Sequence, residues 1–181
     1  MTARLADTPV LETERLTLRA PAMQDYPLCE AFTCSDRASY ILPEPGTPRL
    51  AWRALAHMTG MWPLRGFGPF VFCDRASGAA LGLAGPWYPM DWPEPEITWS
   101  VWAPEAEGKG LAFEAAQAAR AWAYGDLGWT TAVSYIDPAN ARSIALARRL
   151  GATRDPEAPL IDGDTPENTL VFRHPAPERL Q

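Results

Sequence analysis

The sequence is poor in the residues that build metal centres, disulfide frameworks and histidine-based catalytic sites. Its 181 residues include only three cysteines and two histidines. Cys29, Cys34 and Cys73 lack the paired spacing of a zinc site or a disulfide framework, and we predict that they are buried apolar thiols. His57 and His174 have no Cys or carboxylate neighbours at ligand spacing, so each is predicted to be structural or on the surface. No metal site is therefore expected.

The sequence also lacks an excess of basic residues and any apolar run long enough to cross a bilayer. Its 16 Lys and Arg residues against 22 Asp and Glu residues give a formal net charge of −6. This balance opposes binding to a phosphate backbone, so nucleic acid is not expected as a partner. Residues 1–11 contain no apolar run of signal-peptide length, and no membrane association is expected. A cytoplasmic location is the resulting prediction.

What the sequence does contain is the composition of one globular domain. Hydrophobic residues make up 47% and charged residues 21%, and 181 residues are enough to bury a core without disulfides. We predict a single domain over 1–181, with residues 1–10 as a loosely ordered N-terminal extension.

Strands and helices are predicted along the whole chain, with no internal repeat. Alternating polar and apolar residues over 14–19 are typical of a half-buried strand. Further strands are predicted over 70–73, 80–84, 96–102, 130–136 and 169–173, with proline-rich loops at 43–48 and 87–93. Helices are predicted from an Asp25 cap through Phe32, over 49–61, over 111–124, and from an Asp137 cap and Pro138 to Leu150. The pattern indicates a mixed α+β domain.

Two glycines stand between a predicted strand and the strongest predicted helix. Gly108 and Gly110 precede the alanine-rich stretch 111–124, which ends near Gly125. A helix start offers unpaired N–H groups and a positive dipole end, which together suit a pyrophosphate. Glycines remove the Cβ atoms that would keep phosphate oxygens from those donors. Short glycine loops before helices are also often simple turns, so both interpretations stand at this point.

Four segments, in order, resemble the GNAT superfamily of N-acetyltransferases, and in particular its branch that acetylates ribosomal-protein N-termini. Gly110 and Ala112 match the small positions of the superfamily's acetyl-CoA signature, Gln/Arg-x-x-Gly-x-Gly/Ala. Glu107 stands where the signature has Gln or Arg, and we expect its side chain to point away from the ligand. The four segments are 11–19, 96–102, 107–115 and 137–143 with Leu150-Gly151.

The resemblance implies a mixed, mostly antiparallel sheet, flanked by helices, that splays apart between its fourth and fifth strands. It implies acetyl-CoA as the cosubstrate, bound in that opening largely by main-chain groups. The residues implied to hold it are Ser100, Val101, Trp102, Gly108, Lys109, Gly110, Leu111, Ala112, Phe113 and Asn140. Asn140 is equally open to interpretation as a helix-terminal residue that satisfies local backbone groups.

A general base is needed because only a neutral amine can attack a thioester. Glu96 lies eleven positions before Glu107, where the resemblance to histone-type members of the superfamily places a glutamate base. Its side chain is predicted to share a strand face with Thr98 and Ser100. The alternative is a solvated glutamate at the end of a strand. Glu96 is the candidate base, and Glu94 is the second choice.

Two positions depart from the superfamily's catalytic pattern. Tyr135 stands where some N-terminal acetyltransferases carry a base glutamate, and a phenol with an unperturbed pKa of about 10 is a poor base near neutral pH. Ala147 stands where the superfamily's common general-acid tyrosine is expected. Ser143 lies nearby but is equally an ordinary helix residue. Which group protonates the departing thiolate is therefore open.

The acceptor amine is expected to approach from loop 87–95, the second helix and the tail. Trp87, Trp92 and Tyr135 are the candidate substrate-binding residues, although aromatic residues on short strands also commonly pack in a core. The leading prediction is acetyl transfer from acetyl-CoA to the primary amine of a protein N-terminus or a small molecule. The alternatives are a non-catalytic acyl-CoA-binding regulatory module and an interaction scaffold. A homodimer is compatible with the sequence.

Overall fold

Strands and helices alternate along residues 5–42 and 44–179, which the computed structural model describes. In chain order they are β1 (Leu11–Glu12), β2 (Leu16–Arg19), α1 (Tyr26–Thr33), α2 (Pro48–Arg65), β3 (Phe70–Asp74), β4 (Ala80–Trp87), β5 (Glu96–Val101), α3 (Leu111–Gly125), β6 (Val133–Ile136), α4 (Ala141–Arg149), β7 (Thr153–Arg154) and β8 (Leu170–Arg173). The predicted N-terminal extension lies partly outside the described residues. Within the described ranges, no helix combines the length and the apolar character of a membrane span.

One mixed sheet contains all of these strands, in the order β1-β2-β3-β4-β5-β6-β8-β7. Neighbouring strands are antiparallel except β5 and β6, which run parallel. These two share a single registered pair, Glu96 with Val133, whereas β4 and β5 pair over six residues. The sheet therefore opens beyond Glu96. The predicted α+β fold is confirmed, and the opening separates the fourth and fifth of the predicted strands.

Helix α3 lies close to the sheet because the side that faces β4 carries only methyl groups. Ala115, Ala116, Ala119 and Ala123 are fully buried. A Cβ atom added to Gly85 of β4 would lie 3.3 Å from the Ala119 Cβ, a tight contact that shows how closely helix and strand approach. This contact sets the height of α3 above the sheet. It thereby sets the position of the loop that enters the helix.

The other face of the sheet is covered by α1 and α2. Along β3, Phe70 and Phe72 pack in the same cluster as α3, while Val71 and Cys73 pack with residues of α1 and α2. The alternation follows from the two-residue period of a strand. β3 is therefore buried on both faces and lies at the centre of a three-layer core.

The two predicted helix caps on aspartate are wrong. The buried Asp25 carboxylate does not cap α1, because it accepts hydrogen bonds from the Arg19 guanidinium at 2.6 and 2.8 Å and from the Ala22 N–H at 2.8 Å. Asp137 accepts from the Ala139 N–H at 2.7 Å in a turn, and Pro138 lies in that turn rather than at the first helical position. Helix α4 begins later, after Asn140, because that side chain supplies the cap.

Two predicted boundaries next to prolines are also wrong. Pro48, expected to exclude regular structure, is the first residue of α2. Proline is tolerated there because an N–H group at the first helical position would have no acceptor within the helix. Trp87, expected in a loop, ends β4 directly opposite Glu96. Pro86 is tolerated inside β4 because β3 pairs with β4 only as far as Ala84.

The three cysteines are free thiols, and two of them match the prediction. Cys29 and Cys73 are buried, and burial raises the pKa of each thiol. Cys34 is only half-buried, since it follows the last residue of α1. Cys29 also lines the cleft lobe that contains Glu96, described below.

Candidate active site

The opening between β5 and β6 holds a cleft with two lobes. The Glu96 lobe has a volume of about 680 Å³ and lies beside the pair of strands where they separate. The Gly110 lobe has a volume of about 700 Å³ and lies at the start of α3. The residues that line both lobes are Phe32, Ile41, Trp99, Ser100, Asn140 and Ser143. The two lobes are therefore the two ends of one cleft.

The start of α3 presents main-chain donors to the Gly110 lobe. Gly108 and Gly110 have φ angles of 71° and 73°, a left-handed conformation that favours glycine. The Glu114 N–H donates to the Gly110 carbonyl, which is the first hydrogen bond of the helix. The N–H groups of Leu111 to Phe113 have no acceptor within the helix, as at any helix start. These donors and the helix dipole suit a phosphate group.

Arginine side chains surround the same lobe. Arg37, Arg142 and Arg149 line it, and Glu107 is the one carboxylate among its described lining residues. The Arg149 guanidinium lies over the Phe113 ring, 4.0 Å from its centroid. The net positive charge of the lining favours an anionic ligand.

The Glu107 carboxylate is neutralised by two of these arginines. Arg37 donates to Oε1 from Nε at 2.9 Å and from Nη2 at 2.6 Å, and Arg142 donates to Oε2 at 2.7 Å. The hydrogen bonds from Arg37, with those from Arg142, lower the pKa of Glu107. Contrary to expectation, Glu107 does not turn away from the lobe. Its repulsion of a phosphate is instead offset by paired cations.

Arg37 also fixes the end of β5. Its guanidinium donates to the Trp102 carbonyl at 2.6 Å and to the Val101 carbonyl at 2.9 Å. Because the same guanidinium binds Glu107, Arg37 joins the strand end to the glycine loop. Nothing local in the sequence predicts this contact, since 65 positions separate Arg37 from Trp102.

Most of the predicted cofactor-binding residues lie around the Gly110 lobe. Those that line it are Ser100, Val101, Gly108, Gly110, Leu111, Ala112, Phe113 and Asn140. Trp102 lines the Glu96 lobe instead, and its main-chain N–H donates to the Leu81 carbonyl at 2.9 Å. Lys109 is absent from the described lining of both lobes, and its carbonyl accepts from Arg15 at 3.0 Å. The contacts of all ten residues with a ligand stay predictions.

Asn140 and Ser143 lie where the two lobes meet. The Asn140 Oδ1 accepts from the Ser143 N–H at 3.1 Å, which caps α4. The capping interpretation of Asn140 is therefore confirmed, and the same residue lines both lobes. The Ser143 hydroxyl accepts from Trp99 Nε1 at 3.1 Å, so its own hydrogen is left to donate.

Glu96 is buried in the wall of its lobe. Its relative exposure is 6%, which contradicts the alternative of a solvated strand-end glutamate. Trp92 Nε1 donates to its Oε2 at 2.7 Å. Burial raises the pKa of Glu96 to about 7, although hydrogen bonds from Trp92 and the Tyr135 main chain act in the opposite direction. A carboxyl group with this pKa exchanges its proton near neutrality.

The second-choice base and the tyrosine are otherwise engaged. Glu94 accepts two hydrogen bonds from the Arg173 guanidinium, both at 2.8 Å. The Tyr135 hydroxyl donates to the Pro159 carbonyl at 3.2 Å. Burial raises the pKa of Tyr135, and the neighbouring carboxylates of Glu94 and Glu96 raise it further. Tyr135 is therefore a neutral phenol at physiological pH.

The three predicted substrate-binding residues, Trp87, Trp92 and Tyr135, all line the Glu96 lobe. The Trp87 and Trp92 rings meet edge to face, with centroids 6.1 Å apart. The His57 ring packs against Trp87 at 4.7 Å and also lines the lobe, although the sequence marks His57 only as structural or on the surface. Asp164 joins the lining from the loop before β8. No short motif connects these two residues to the others.

The remaining histidine is the centre of a buried polar chain. Arg120 of α3 donates to His174 Nδ1 at 3.0 Å and to the Leu150 carbonyl at 2.6 Å. Because Nδ1 accepts, Nε2 carries the hydrogen and donates to Ser134 Oγ at 3.0 Å. Ser134 in turn donates to the Ile97 carbonyl at 2.6 Å. Burial, assisted by Arg120, lowers the pKa of His174 to about 3, so the predicted structural role is confirmed.

The fold and the cleft together define an acetyltransferase with the GNAT architecture. The chain belongs to the GNAT acetyltransferase family, since the profile of the acetyltransferase (GNAT) domain matches residues 15–153. Members of this family use acetyl-CoA as the cosubstrate.

Solved structures of bacterial acetyltransferases are similar over almost the whole chain. An acetyltransferase from Agrobacterium tumefaciens is 35% identical, with a TM-score of 0.85 over 96% of this chain and 98% of its own. A putative GNAT-family acetyltransferase from Bordetella pertussis is 28% identical, with a TM-score of 0.73 over 92% and 99% of the two chains. The ribosomal-protein-S5-alanine acetyltransferase from Vibrio fischeri is 19% identical, with a TM-score of 0.68 over 91% and 95%. At that identity the last similarity concerns the fold alone.

Proposed function

We propose that this chain transfers the acetyl group of acetyl-CoA to a primary amine, with Glu96 as the general base. The observation that carries the proposal is the burial of this carboxyl group in a lobe that joins the donor-lined start of α3. Membership of the GNAT family supports acetyl transfer in general. The base and the class of acceptor are inferred from the cleft.

The residues around the Gly110 lobe fit the diphosphate of the cosubstrate. The N–H groups of Leu111 to Phe113 are free to donate, and the left-handed Gly108 and Gly110 leave no side chain in front of them. Arg142 and Arg149 add positive charge. Main-chain groups of Ser100 and Val101 would hold the amide-bearing arm on its way toward the Glu96 lobe.

Glu96 is suited to take the proton that the acceptor must lose. With a pKa of about 7, its carboxylate is populated at physiological pH and is basic enough to accept a proton from an ammonium group. The neutral nitrogen then attacks the thioester carbon, so a C–N bond forms and the C–S bond breaks, and the nitrogen releases its second proton to water in the cleft. The electron pair of the broken bond goes to sulfur. The proton on Glu96 passes to solvent through the open cleft.

Ser143 is the residue that we assign to the departing sulfur. Ala147, at the position of the expected tyrosine, is fully buried and offers no proton. The Ser143 hydroxyl accepts from Trp99 and is left to donate its hydrogen at the junction of the lobes. It also lies in the first turn of α4, where the helix dipole favours a negative charge. Ser143 would therefore stabilise the thiolate by hydrogen bonding rather than by complete proton transfer.

A coupled assay of CoA release over a panel of amines tests the base. Glu96→Gln removes the proton acceptor but keeps a partner for Trp92, and we expect kcat to fall by roughly 10²-fold or more. Glu94→Gln is the matched control. Because Glu94 is paired with Arg173, this variant should keep kcat within a fewfold range of the wild type. Full activity in Glu96→Gln would refute the assignment.

Binding measurements test Ser143 separately from turnover. At a pH where the CoA thiol is ionised, the wild type should bind CoA more tightly than desulfo-CoA, and Ser143→Ala should lose that preference. An unchanged preference would remove Ser143 from the mechanism.

The same experiments separate the other two functions that the sequence allows. Tight acetyl-CoA binding without release of CoA for any amine would favour the regulatory module. Ala147, in place of the expected general-acid tyrosine, is the observation that motivates this alternative. Absence of CoA binding in calorimetry would favour the interaction scaffold.

A further inference from the structure

The charged residues of the cleft are divided between its lobes. Apart from His57, the acidic and basic residues among the described lining of the Glu96 lobe are three carboxylic acids, Glu96, Asp137 and Asp164, with no Lys or Arg. The Gly110 lobe has three arginines against Glu107. A concave site lined by one sign of charge raises the local concentration of ligands of the other sign. The Glu96 lobe therefore favours a cationic ligand and disfavours an acidic one.

Large apolar side chains are exposed along the same lobe. Tyr40, Ile41 and Leu50 line it with relative exposures of 48%, 62% and 37%. Deeper in the lobe, Trp87 and Trp92 present their rings at right angles. Exposed apolar residues that cluster around a concavity mark a binding surface for an apolar group. A polar or heavily hydrated body would gain nothing from these contacts.

The size of the lobe points to a small ligand. Its volume of about 680 Å³ lies within the range of roughly 300–1,000 Å³ that is typical of small-molecule sites. Residues 38–42 and α2 contribute to the lining, as do Ile161, Asp164 and Thr169 of the segment between β7 and β8. An acceptor that enters it is therefore in contact with several separate segments of the chain.

We propose that the acceptor is a small primary amine on an apolar body that carries no acidic group. The inference rests on the proposed acetyl transfer and names the class of its acceptor. The amine lies toward Glu96, the body packs on the tryptophans and on Leu50, and the carboxylates of Asp137 and Asp164 repel an acidic substituent. In the reaction the ammonium group loses its first proton to Glu96, the nitrogen gains the acetyl carbon and releases a second proton to water, and CoA leaves with the electron pair of the C–S bond.

Two substrate pairs test the two parts of the inference. 2-Phenylethylamine against ethanolamine changes the body, and tryptamine against tryptophan adds a carboxylate beside the same amine. We expect the first member of each pair to have a kcat/KM at least about tenfold higher, a difference of about 1.4 kcal/mol. A peptide with a free N-terminus is the third arm, and it should be a poorer acceptor than 2-phenylethylamine.

Two pairs of variants locate the selectivity in the lobe. Leu50→Gln should raise KM for 2-phenylethylamine severalfold without changing KM for acetyl-CoA, whereas Leu64→Gln, on the same helix but 84% exposed and outside the described lining, should change neither. Asp164→Asn should narrow the ratio between tryptamine and tryptophan, because the amide keeps an acceptor for Thr169 but loses the charge. Asp162→Asn, in the same loop and exposed, should leave that ratio unchanged.

The outcomes distinguish this inference from the function on which it rests. If CoA release requires Glu96 but ethanolamine, tryptophan or the peptide is the preferred acceptor, the inference is overturned and the proposed function stands. If Leu50→Gln and Leu64→Gln behave alike, the apolar body does not bind where we place it. If no amine releases CoA, or if release is independent of Glu96, both are overturned.

Discussion

The Ser134 hydroxyl donates to the Ile97 carbonyl across the point where β5 and β6 separate, at an oxygen–oxygen distance of 2.6 Å. The regular strand pairing ends one residue earlier, at Glu96 and Val133. A side chain therefore supplies the next connection between the strands, and His174 and Arg120 hold that side chain in place. The width of the cleft beside Glu96 is thus linked to α3, the helix that begins at the Gly110 lobe.

The buried His174 predicts a loss of stability in acid. Its pKa is about 3 in the folded protein against 6.5 for the free side chain. Below pH 6.5 the unfolded chain binds a proton that the folded chain does not. The contribution of this residue therefore lowers the free energy of unfolding, as the pH is lowered, by up to about 1.4 kcal/mol per pH unit. Urea titrations between pH 7 and pH 5 should show a shallower fall for His174→Asn than for the wild type. Parallel curves would refute the buried neutral histidine.

Glu96 predicts opposite effects on activity and stability. Its carboxylate is protonated as pH falls through about 7, so kcat/KM should decline below that pH after the ionisation of the amine itself is subtracted. Between pH 4.5 and 7 the folded protein retains a proton that the unfolded chain releases, so stability falls as pH rises through that range. At pH 8, Glu96→Gln should therefore have a free energy of unfolding higher than that of the wild type by up to about 3 kcal/mol, measured by urea titration. A less stable Glu96→Gln would contradict a costly buried carboxylate.

Gly110 predicts a loss of cofactor affinity that exceeds the loss of stability. Ala at a φ of 73° costs roughly 1–2 kcal/mol, and the added Cβ would meet only Arg149 at 3.5 Å and Arg15 at 3.8 Å. The same Cβ would stand beside the N–H donors of α3, so CoA binding measured by calorimetry should weaken by at least about tenfold. Gly128→Ala is the matched control, since Gly128 has a φ of 68° and no atom within 4 Å of an added Cβ. Equal CoA affinities in the two variants would remove the glycine loop from the binding site.

Arg37 and Arg142 predict different consequences for the same lost charge. Arg37→Gln removes the donor to two carbonyls at the end of β5 and to Glu107, so both the melting temperature and the CoA affinity should fall. The Arg142 side chain is 86% exposed, so Arg142→Gln should leave the melting temperature nearly unchanged and weaken CoA binding mainly at low salt. Differential scanning fluorimetry and calorimetry in 20 and 300 mM salt, where the Debye length is about 20 Å and about 6 Å, separate the two roles. Identical behaviour of the two variants would contradict the clamp formed by Arg37.

The strands and helices were largely predictable because their periodicity is local. The boundaries that differ have specific tertiary causes. Asp25 is buried because it pairs with Arg19. Strand β4 continues through Pro86 because its pairing with β3 ends at Ala84. The short strands β1 and β7, each of two residues, are too short to carry a periodic signal.

The candidate site was predictable only where a motif is continuous. Gly108 to Phe113 and the strand before them follow a recognisable order, and Glu96 lies at a fixed spacing from that loop. The pairing of Glu107 with Arg37 joins residues 70 positions apart, and no spacing rule anticipates it. The contribution of Asp164 depends on the path of an irregular loop.

The methyl-lined contact between α3 and β4 makes the position of the binding donors depend on packing in the core. A Cβ at Gly85 would lie 3.1 Å from Phe70 Cδ2 and 3.3 Å from the Ala119 Cβ, so a larger residue at this position would press the helix away from the sheet. The N–H groups at the start of that helix would then move with it. Changes that tune the affinity for the cosubstrate are therefore to be sought in the interior of the protein as well as around the cleft.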